Sequence, residues 1–326
     1  MIEYSPINIR TWARLGSCGA FGAAMQALAE EDPSLAVVTA DLCFYSGLDR
    51  FKQRHPDKLY NVGIAEQNLL GVAAGMASEG LHVFATTYAT FATTRALDQV
   101  RVCMGYMQLP VKLVGLTSGL TVSILGATHT GNEDLAILRS IPNLTILSPA
   151  DTTSTVKAVL AANQLDGPVY LRLSGAMGAP LVYKQDFAYE IGKSITLRTG
   201  DDIAIFATGT MVAEALQVAE LLATRGIQAE VVDMHTIKPF DQAAVEAVMD
   251  RRLIVTMEEH SVIGGIGSAV AELLAARADS PALLRLGLAD IYLHAGERRD
   301  LMEEYELQTD VMAEKIIARL AQGENA

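Results

Sequence analysis

Cysteine, positive charge and long apolar runs are all scarce in this sequence of 326 residues. The three cysteines, Cys18, Cys43 and Cys103, include no Cys-x-x-Cys pair, which excludes a disulfide scaffold and a zinc ribbon. Lys and Arg total 25 against 38 Asp and Glu, and this acidic balance excludes the broad basic surface of a nucleic-acid-binding protein. The longest apolar stretch, residues 113–128, is too short and too rich in Gly, Ser and Thr for a membrane span. Free thiols, and an N-terminal segment without an apolar signal core, predict a cytoplasmic protein.

What the sequence does contain is abundant apolar residues in a regular pattern. Hydrophobic residues make up 50% of the chain, so it can bury a sizeable core, and its length predicts two domains. Runs of β-branched residues predict buried strands at 35–40, 81–86, 111–116, 144–147, 168–173, 202–207, 228–232, 252–257 and 283–287. Segments rich in small residues between them predict helices, among them 65–78, 92–106, 152–164, 211–225 and 308–321.

This alternation predicts an α/β protein of two domains, each a mainly parallel sheet with helices on both faces. Residues 176–195 form a looser stretch, which we interpret as a linker between a first domain, 1–175, and a second, 196–326. Ligands of open parallel sheets bind beyond the C-terminal ends of the strands. Asp41, residues 86–91 and residues 117–129 are therefore the places where we expect chemistry.

Glu66 is the most informative of the charged residues, because it stands at a predicted helix start among apolar and small neighbours. One interpretation is favourable placement of a negative charge in the first helical turn. The other is a buried carboxylate that shares a proton with a ligand. The residues alone leave both interpretations open.

The segment around Glu66, Asn-Val-Gly-Ile-Ala-Glu-Gln-Asn at 61–68, resembles the motif of transketolases and related thiamine diphosphate enzymes. Further segments resemble the same family in the expected order, at 86–101, 126–129, 138–143, 148–151, 233–241 and 258–267. The resemblance covers nearly the whole chain. It implies that residues 1–175 are a thiamine diphosphate pyrimidine-binding domain and residues 196–326 a transketolase C-terminal domain.

The resemblance also implies roles for single residues. Glu66 corresponds to the glutamate that hydrogen-bonds a ring nitrogen of the pyrimidine and so helps to activate the cofactor. Tyr88 and Phe91 correspond to aromatic residues that pack on this ring, where stacking adds about 0.5–1.5 kcal/mol beyond burial. Asp41 corresponds to a cofactor-proximal aspartate, and His129 to a catalytic histidine that contacts substrate oxygens. Taken alone, the aromatic residues are typical of core packing, and a single histidine is typical of a structural or exposed position.

One part of the family pattern is missing. Transketolases carry an N-terminal domain in which Gly-Asp-Gly and a later Asn hold the diphosphate and a divalent cation, Mg²⁺ or Ca²⁺. The one Gly-Asp step here, Gly200-Asp201, precedes a predicted strand and has no suitable Asn after it. We therefore expect no metal ligand in this chain. The resemblance implies a separate N-terminal, diphosphate-binding subunit that holds the metal, in an α2β2 heterotetramer.

Several substrate positions also depart from the family. Thr117 stands where transketolases have a His, Leu125 where they have an acidic residue, and Gly175 where an Arg holds the sugar phosphate. Tyr45 replaces a phosphate-contacting Ser, with Ser46 beside it. The loss of a guanidinium that grips phosphate predicts an atypical, non-phosphorylated substrate for the two-carbon (ketol) transfer.

Three other functions stay open from the sequence. The beta subunit of a 2-oxoacid dehydrogenase first component has a similar layout, but usually a His-rich segment near residues 128–130, which is absent here. A non-catalytic transketolase-like subunit would keep the fold without turnover. A nicotinamide oxidoreductase would need a Gly-rich turn at 40–48, and this chain has none.

The second domain offers one further candidate site. Gly264, Gly265 and Gly267 precede a predicted helix and could bind an anion at its N-terminus. Close packing of the helix on the sheet is the interpretation that we prefer for them. His260 is predicted to lie at a domain interface.

Overall fold

The protein forms two sheets, seen in a computed structural model that describes residues 2–323. The outer ends of the predicted domains, residues 1 and 324–326, lie outside the described residues. No helix within the described part of the chain is long and apolar enough to cross a membrane.

The strands within residues 2–323 are β1 (Leu35–Thr39), β2 (Leu59–Asn61), β3 (His82–Tyr88), β4 (Lys112–Leu116), β5 (Thr145–Leu147), β6 (Val169–Arg172), β7 (Ile195–Arg198), β8 (Ile203–Ala207), β9 (Ala229–Asp233), β10 (Thr236–Lys238), β11 (Leu253–Ser261) and β12 (Ala282–Leu288). The α-helices of the same region are α1 (Pro6–Glu31), α2 (Asp49–Arg54), α3 (Glu66–Ser78), α4 (Leu97–Gln99), α5 (Asp134–Arg139), α6 (Thr152–Gln164), α7 (Met211–Ala223), α8 (Gln242–Glu246), α9 (Ile266–Ala275), α10 (Arg298–Glu304) and α11 (Thr309–Gly323). Two π-helical turns flank α4, at Phe91–Arg95 and Val100–Tyr106, and short 3₁₀ turns lie at Pro56–Lys58 and Ser123–Leu125.

The first sheet has the strand order β10-β5-β6-β4-β3-β1-β2. All of its pairs are parallel except β10 with β5. Its central strands are buried on both faces: Val37 of β1 packs into the cluster formed with α1 and α6, whereas Ala36 and Val38 pack into the cluster with α3 and α5. The predicted mainly parallel sheet with helices on both faces is therefore confirmed.

The second sheet has the order β12-β11-β8-β9-β7, and only the pairing of β7 with β9 is antiparallel within the described residues. Ile203 and Ile205 of β8 face the cluster that includes α7 and α11, while Ala204 and Phe206 face α8 and α9. Strand β7 was not predicted, and it begins at the last residue of the predicted linker, 176–195.

The predicted linker is held against α6 of the first domain by hydrogen bonds, several of which involve Asp151. This residue caps α6: its Oδ1 accepts from the backbone N–H of Ser154 at 2.8 Å, and Ser154 Oγ accepts from the backbone N–H of Asp151 at 2.9 Å. The second carboxylate oxygen accepts from the backbone N–H groups of Val182 and Tyr183, both at 2.8 Å. The looser stretch is therefore held against the start of α6.

Helix α1 is a feature that the sequence pattern did not indicate. Ser5 caps its start, and the helix packs along α6 with Trp12, Phe21 and Met25 buried. Gly16 interrupts it with φ of 72°. Gly16, Gly19 and Gly22 weaken the helical pattern of the segment, which explains why the helix was missed.

Candidate active site

Glu66 is the first residue of α3, and it is 2% exposed. Glu66 is therefore both an acidic residue in a first helical turn and a buried carboxylate, and its sharing of a proton with a ligand stays a prediction. Its Oε2 accepts a hydrogen bond from Nη1 of Arg95 at 2.8 Å. Arg95 was not singled out in the sequence.

The loop that leads into Glu66 is fixed by Asn61, another residue that the sequence pattern did not single out. Asn61 Oδ1 accepts from the backbone N–H groups of Gly63 at 2.9 Å and Asp41 at 3.0 Å. Its Nδ2 donates to Asp41 Oδ1 at 2.8 Å. Its position at the head of the 61–68 motif was the signal that could have identified it. Asn61 thus ties Asp41, which follows β1, to the loop that leads into Glu66.

Asp41 lies two residues after the end of β1, in a left-handed backbone conformation with φ of 59°. Its side chain is exposed and bonds to Asn61. Strands β4, β3 and β1 are neighbours in the sheet and parallel, so the ends of all three lie along one edge. Asp41 and Tyr88, which ends β3, therefore share that edge, as ligand-binding residues of such sheets do.

Tyr88, Phe91 and His129 form a ring cluster, although they come from two distant segments. The ring centroids lie 6.0 Å apart for Tyr88 and Phe91, 5.8 Å for Tyr88 and His129, and 5.3 Å for Phe91 and His129. All three pairs meet edge to face, with interplanar angles of 66–78°. Burial, with a smaller contribution from Tyr45, raises the pKa of Tyr88, so its hydroxyl stays protonated at neutral pH.

Arg95 joins the ring cluster to Glu66. Its guanidinium carbon lies 4.2 Å from the centre of the Phe91 ring, while Nη1 holds Glu66. Glu66 and Arg95 also line a cavity of about 390 Å³ together with Ile64, Ala65, Gln67 and Asn68. The structure therefore brings Glu66, Tyr88, Phe91 and His129 into one connected set.

The side chains at the positions that depart from the family pattern include no cationic group that could bind a phosphate. Tyr45 is 58% exposed, and its ring centre is 6.4 Å from that of Tyr88. Ser46 is buried, and its hydroxyl bonds to Leu42 O and Thr86 Oγ1 inside the domain. Leu125 is 47% exposed and apolar. Among residues 2–323, no group of three or more His, Cys, Asp or Glu side chains is arranged to hold a metal ion.

The glycines of the second domain are accounted for by packing, which was the preferred interpretation. The carboxylate of Glu258 occupies the N-terminus of α9, where it accepts from the backbone N–H groups of Ile266 at 2.8 Å and Gly267 at 2.9 Å. A Cβ on Gly265 would lie 1.8 Å from Glu258 Oε2. The protein's own carboxylate thus fills the place of an external anion.

His260 lies in β11, and its side chain contacts α5 of the first domain, at the domain interface that was predicted. Its Nε2 accepts from the backbone N–H of Ala136 in α5 at 3.3 Å, and its Nδ1 donates to Ser261 O at 2.7 Å. Burial lowers the pKa of His260 to about 4, so the ring is neutral at physiological pH. Beside it, Asp134 and Arg172 form a buried ion pair at 2.9 Å.

Comparison with known proteins identifies the family. The model for the transketolase pyrimidine binding domain matches residues 17–177, and that for the transketolase C-terminal domain matches residues 192–312. The chain therefore belongs to the transketolase family, and it carries these two domains in the order that the sequence motifs implied.

Within the family, the chain is similar to separately encoded C-terminal subunits. It is 41% identical over 280 residues to the 6-deoxy-6-sulfo-D-fructose transketolase subunit SqwH of Clostridium sp., covering 86% of each chain. It is 37% identical to a subunit of the apulose-4-phosphate transketolase of Phocaeicola vulgatus, covering 87% of this chain and 90% of that one. A solved structure described as a split gene transketolase, inactive beta4 tetramer, superposes with a TM-score of 0.85 at 38% identity, over 94% of this chain and 99% of the other.

Proposed function

We propose that this chain is the C-terminal subunit of a two-subunit transketolase, which transfers a two-carbon ketol unit with thiamine diphosphate. The observation that carries the proposal is the carboxylate of Glu66, buried at a helix start, tied by its loop to Asp41 and joined through Arg95 to an aromatic cluster. A buried carboxylate needs a partner that can donate a hydrogen bond. Residues of this kind fit the pyrimidine end of the cofactor.

Each residue of the set has a distinct task in this proposal. When it is bound, thiamine diphosphate supplies a thiazolium carbon that reacts with carbonyl compounds. The buried carboxylate of Glu66 hydrogen-bonds a ring nitrogen of the pyrimidine. Tyr88 and Phe91 pack on the ring, and Asp41 holds the Glu66 loop beside it.

His129 is the proposed contact to substrate oxygens. Its ring meets Tyr88 and Phe91, which fix its orientation at the site. Its Nδ1 lies 2.9 Å from Thr128 Oγ1, so Nε2 is the nitrogen assigned to the substrate. A positioned imidazole can donate to an oxygen that gains negative charge during transfer.

The proposed enzyme is active only with an N-terminal, diphosphate-binding subunit, in an α2β2 assembly. The partner would hold the diphosphate and Mg²⁺ or Ca²⁺ with oxygen ligands. Two observations support the assembly: the similar split gene transketolase is described as inactive when it forms a beta4 tetramer, and large apolar side chains are exposed around the site. Ile64 is 77% exposed, Phe44 71% and Tyr45 58%, which suits a surface that another subunit covers.

The proposed substrate is a sugar or related carbonyl compound of carbohydrate metabolism without the usual phosphate group. Gly175 supplies only backbone contacts, to Ser17 and Thr121, where an arginine would grip phosphate. A strong preference for phosphorylated over non-phosphorylated acceptors, measured as kcat/KM, would contradict this part of the proposal. The cytoplasmic location stays a prediction.

The test of the catalytic role is Glu66→Gln, assayed for ketol transfer in the presence of the diphosphate-binding subunit. We expect turnover to fall by about 10²–10⁴-fold, the range for loss of a positioned proton-transfer group. Glu79→Gln is the matched control, since Glu79 is exposed at the other end of the same helix. Full activity of Glu66→Gln would refute the assigned role.

A further inference from the structure

Arg95 makes both of the contacts that the proposed function assigns to the pyrimidine ring. Its Nη1 donates to Glu66 Oε2 at 2.8 Å, and its guanidinium lies 4.2 Å over the centre of the Phe91 ring. A guanidinium is planar, donates N–H groups and stacks on aromatic faces. These are also the properties by which a pyrimidine ring would engage a carboxylate and an aromatic side chain.

Burial explains why Glu66 needs this contact in the free subunit. The carboxylate side chain is 3% exposed, and a buried charge without a partner is strongly destabilising. Arg95 supplies this contact from the protein surface, where 46% of its own side chain is exposed. A long side chain that is half in water can turn outward without disturbing the core.

The backbone of Arg95 is fixed by hydrogen bonds within the fold, whereas its side chain is half exposed. Arg95 ends the π-helical turn Phe91–Arg95, a type of turn that is frequent at functional sites. Gln67 Nε2 of α3 donates to Arg95 O at 3.3 Å, and the N–H of Ala96 bonds Phe91 O at 3.2 Å. Release of Glu66 therefore needs a rotamer change in one side chain and no movement of the turn.

We propose that Arg95 is a displaceable occupant of the pyrimidine site, which pairs Glu66 and covers Phe91 in the free subunit and leaves when the cofactor binds. Arg95 thereby limits the affinity for the cofactor while it stabilises the empty site. The inference rests on the proposed function, since it takes Glu66 and Phe91 as the pyrimidine contacts.

The first test is calorimetric titration of thiamine diphosphate with Mg²⁺ into the full chain mixed with its diphosphate-binding subunit. Arg95→Gln removes the competing cation, and we expect the Kd to fall by about three- to tenfold, the effect of losing one half-exposed ion pair and one cation–π contact. Arg101→Gln is the matched control, because Arg101 lies in the same segment in an exposed pair with Asp98. This control should leave the Kd unchanged.

The second test uses the full chain alone and needs no cofactor. Arg95→Gln should lower the thermal midpoint by about 2–4 °C, because it leaves Glu66 buried without its cation. Adding Glu66→Gln to it should restore most of the loss. Arg95→Lys keeps a charge near Glu66 but lacks the planar stack on Phe91, so it should stay stable and bind the cofactor more tightly than the wild type.

These experiments test the displacement of Arg95 separately from the proposed function. Suppose that the wild-type mixture binds the cofactor and the Glu66→Gln mixture does not. Weaker or unchanged binding by Arg95→Gln would then overturn the displacement of Arg95 but leave the proposed function in place. An unchanged thermal midpoint of the free chain would overturn its stabilising role. Failure of the wild-type mixture to bind the cofactor would refute both.

Discussion

Replacement of Asp134 by Asn should destabilise the protein severely, because it removes the charge partner of a buried arginine. Asp134 is 0% exposed and Arg172 is 1% exposed. Arg172 Nε lies 2.9 Å from Asp134 Oδ2 and 3.1 Å from Oδ1, and the Tyr170 hydroxyl donates to Oδ2 at 2.8 Å. Arg172 also donates to Glu259 O at 3.0 Å, which joins the first sheet to a strand of the second.

The expected magnitude follows from this burial. Breaking a buried ion pair by removal of one partner costs about 3–5 kcal/mol, since the other charge stays buried without compensation. Domains have about 5–15 kcal/mol of stability in total, so Asp134→Asn should lose about a fifth or more of it. Urea unfolding followed by circular dichroism, at one fixed protein concentration, measures the difference in free energy of unfolding.

Asp98→Asn is the control for this measurement. Asp98 pairs with Arg101 at 3.2 Å, but their side chains are 72% and 61% exposed, so the expected loss is about 0–1 kcal/mol. Equal losses of unfolding free energy for Asp134→Asn and Asp98→Asn would contradict the expected cost of breaking the buried pair. They would mean that the Arg172 charge finds water or another partner in the folded protein.

Three further predictions concern the buried groups Asp233 and His260 and the exposed Asn61. Burial raises the pKa of Asp233 to about 8, above its value in the unfolded chain. The contribution of Asp233 to the free energy of unfolding therefore falls as pH rises from about 4 to 8. Urea unfolding at pH 5 and pH 8 should show a smaller loss of stability for Asp233→Asn than for the wild type. Burial lowers the pKa of His260 to about 4. The contribution of the neutral ring to stability is therefore full above about pH 6.5 and is lost as pH falls toward 4. The thermal midpoints measured at pH 7 and pH 5 should differ less in His260→Gln than in the wild type. Asn61→Ala should lower the activity of the mixed subunits by about tenfold or more with little change in thermal midpoint, because it frees Asp41 and the loop before Glu66; an activity equal to wild type would contradict the positioning role of Asn61.

Much of the fold could be predicted because the buried strands carry their own signal. Residues 35–38 and 203–207 are continuous apolar runs, and they lie in β1 and β8, which are interior strands of their sheets. Strand β10 carries no such signal, since it is three residues long and forms only by pairing with β5. Its partner lies about 90 residues earlier in the chain, a contact that local pattern does not encode.

The candidate site likewise contains residues that could be predicted from the sequence and residues that could not. Glu66, Tyr88, Phe91 and His129 could be selected because they lie in motifs that resemble a family. Arg95 could not, because its contact with Glu66 spans 29 residues and depends on a π-helical turn within a segment predicted as one regular helix. The hydrophobic periodicity of a sequence indicates which residues face a core, but it does not indicate which charged side chains on different elements contact each other.

The most direct test of the central claim is a titration of thiamine diphosphate with Mg²⁺ into this chain, into the diphosphate-binding subunit, and into their mixture. We expect tight binding and ketol transfer in the mixture and neither property in this chain alone, since in the proposed enzyme the pyrimidine contacts and the diphosphate contacts come from different subunits. Tight Mg²⁺-dependent binding by this chain alone would contradict the division of the site between two subunits. The absence of binding and transfer in the mixture would contradict the proposed activity itself.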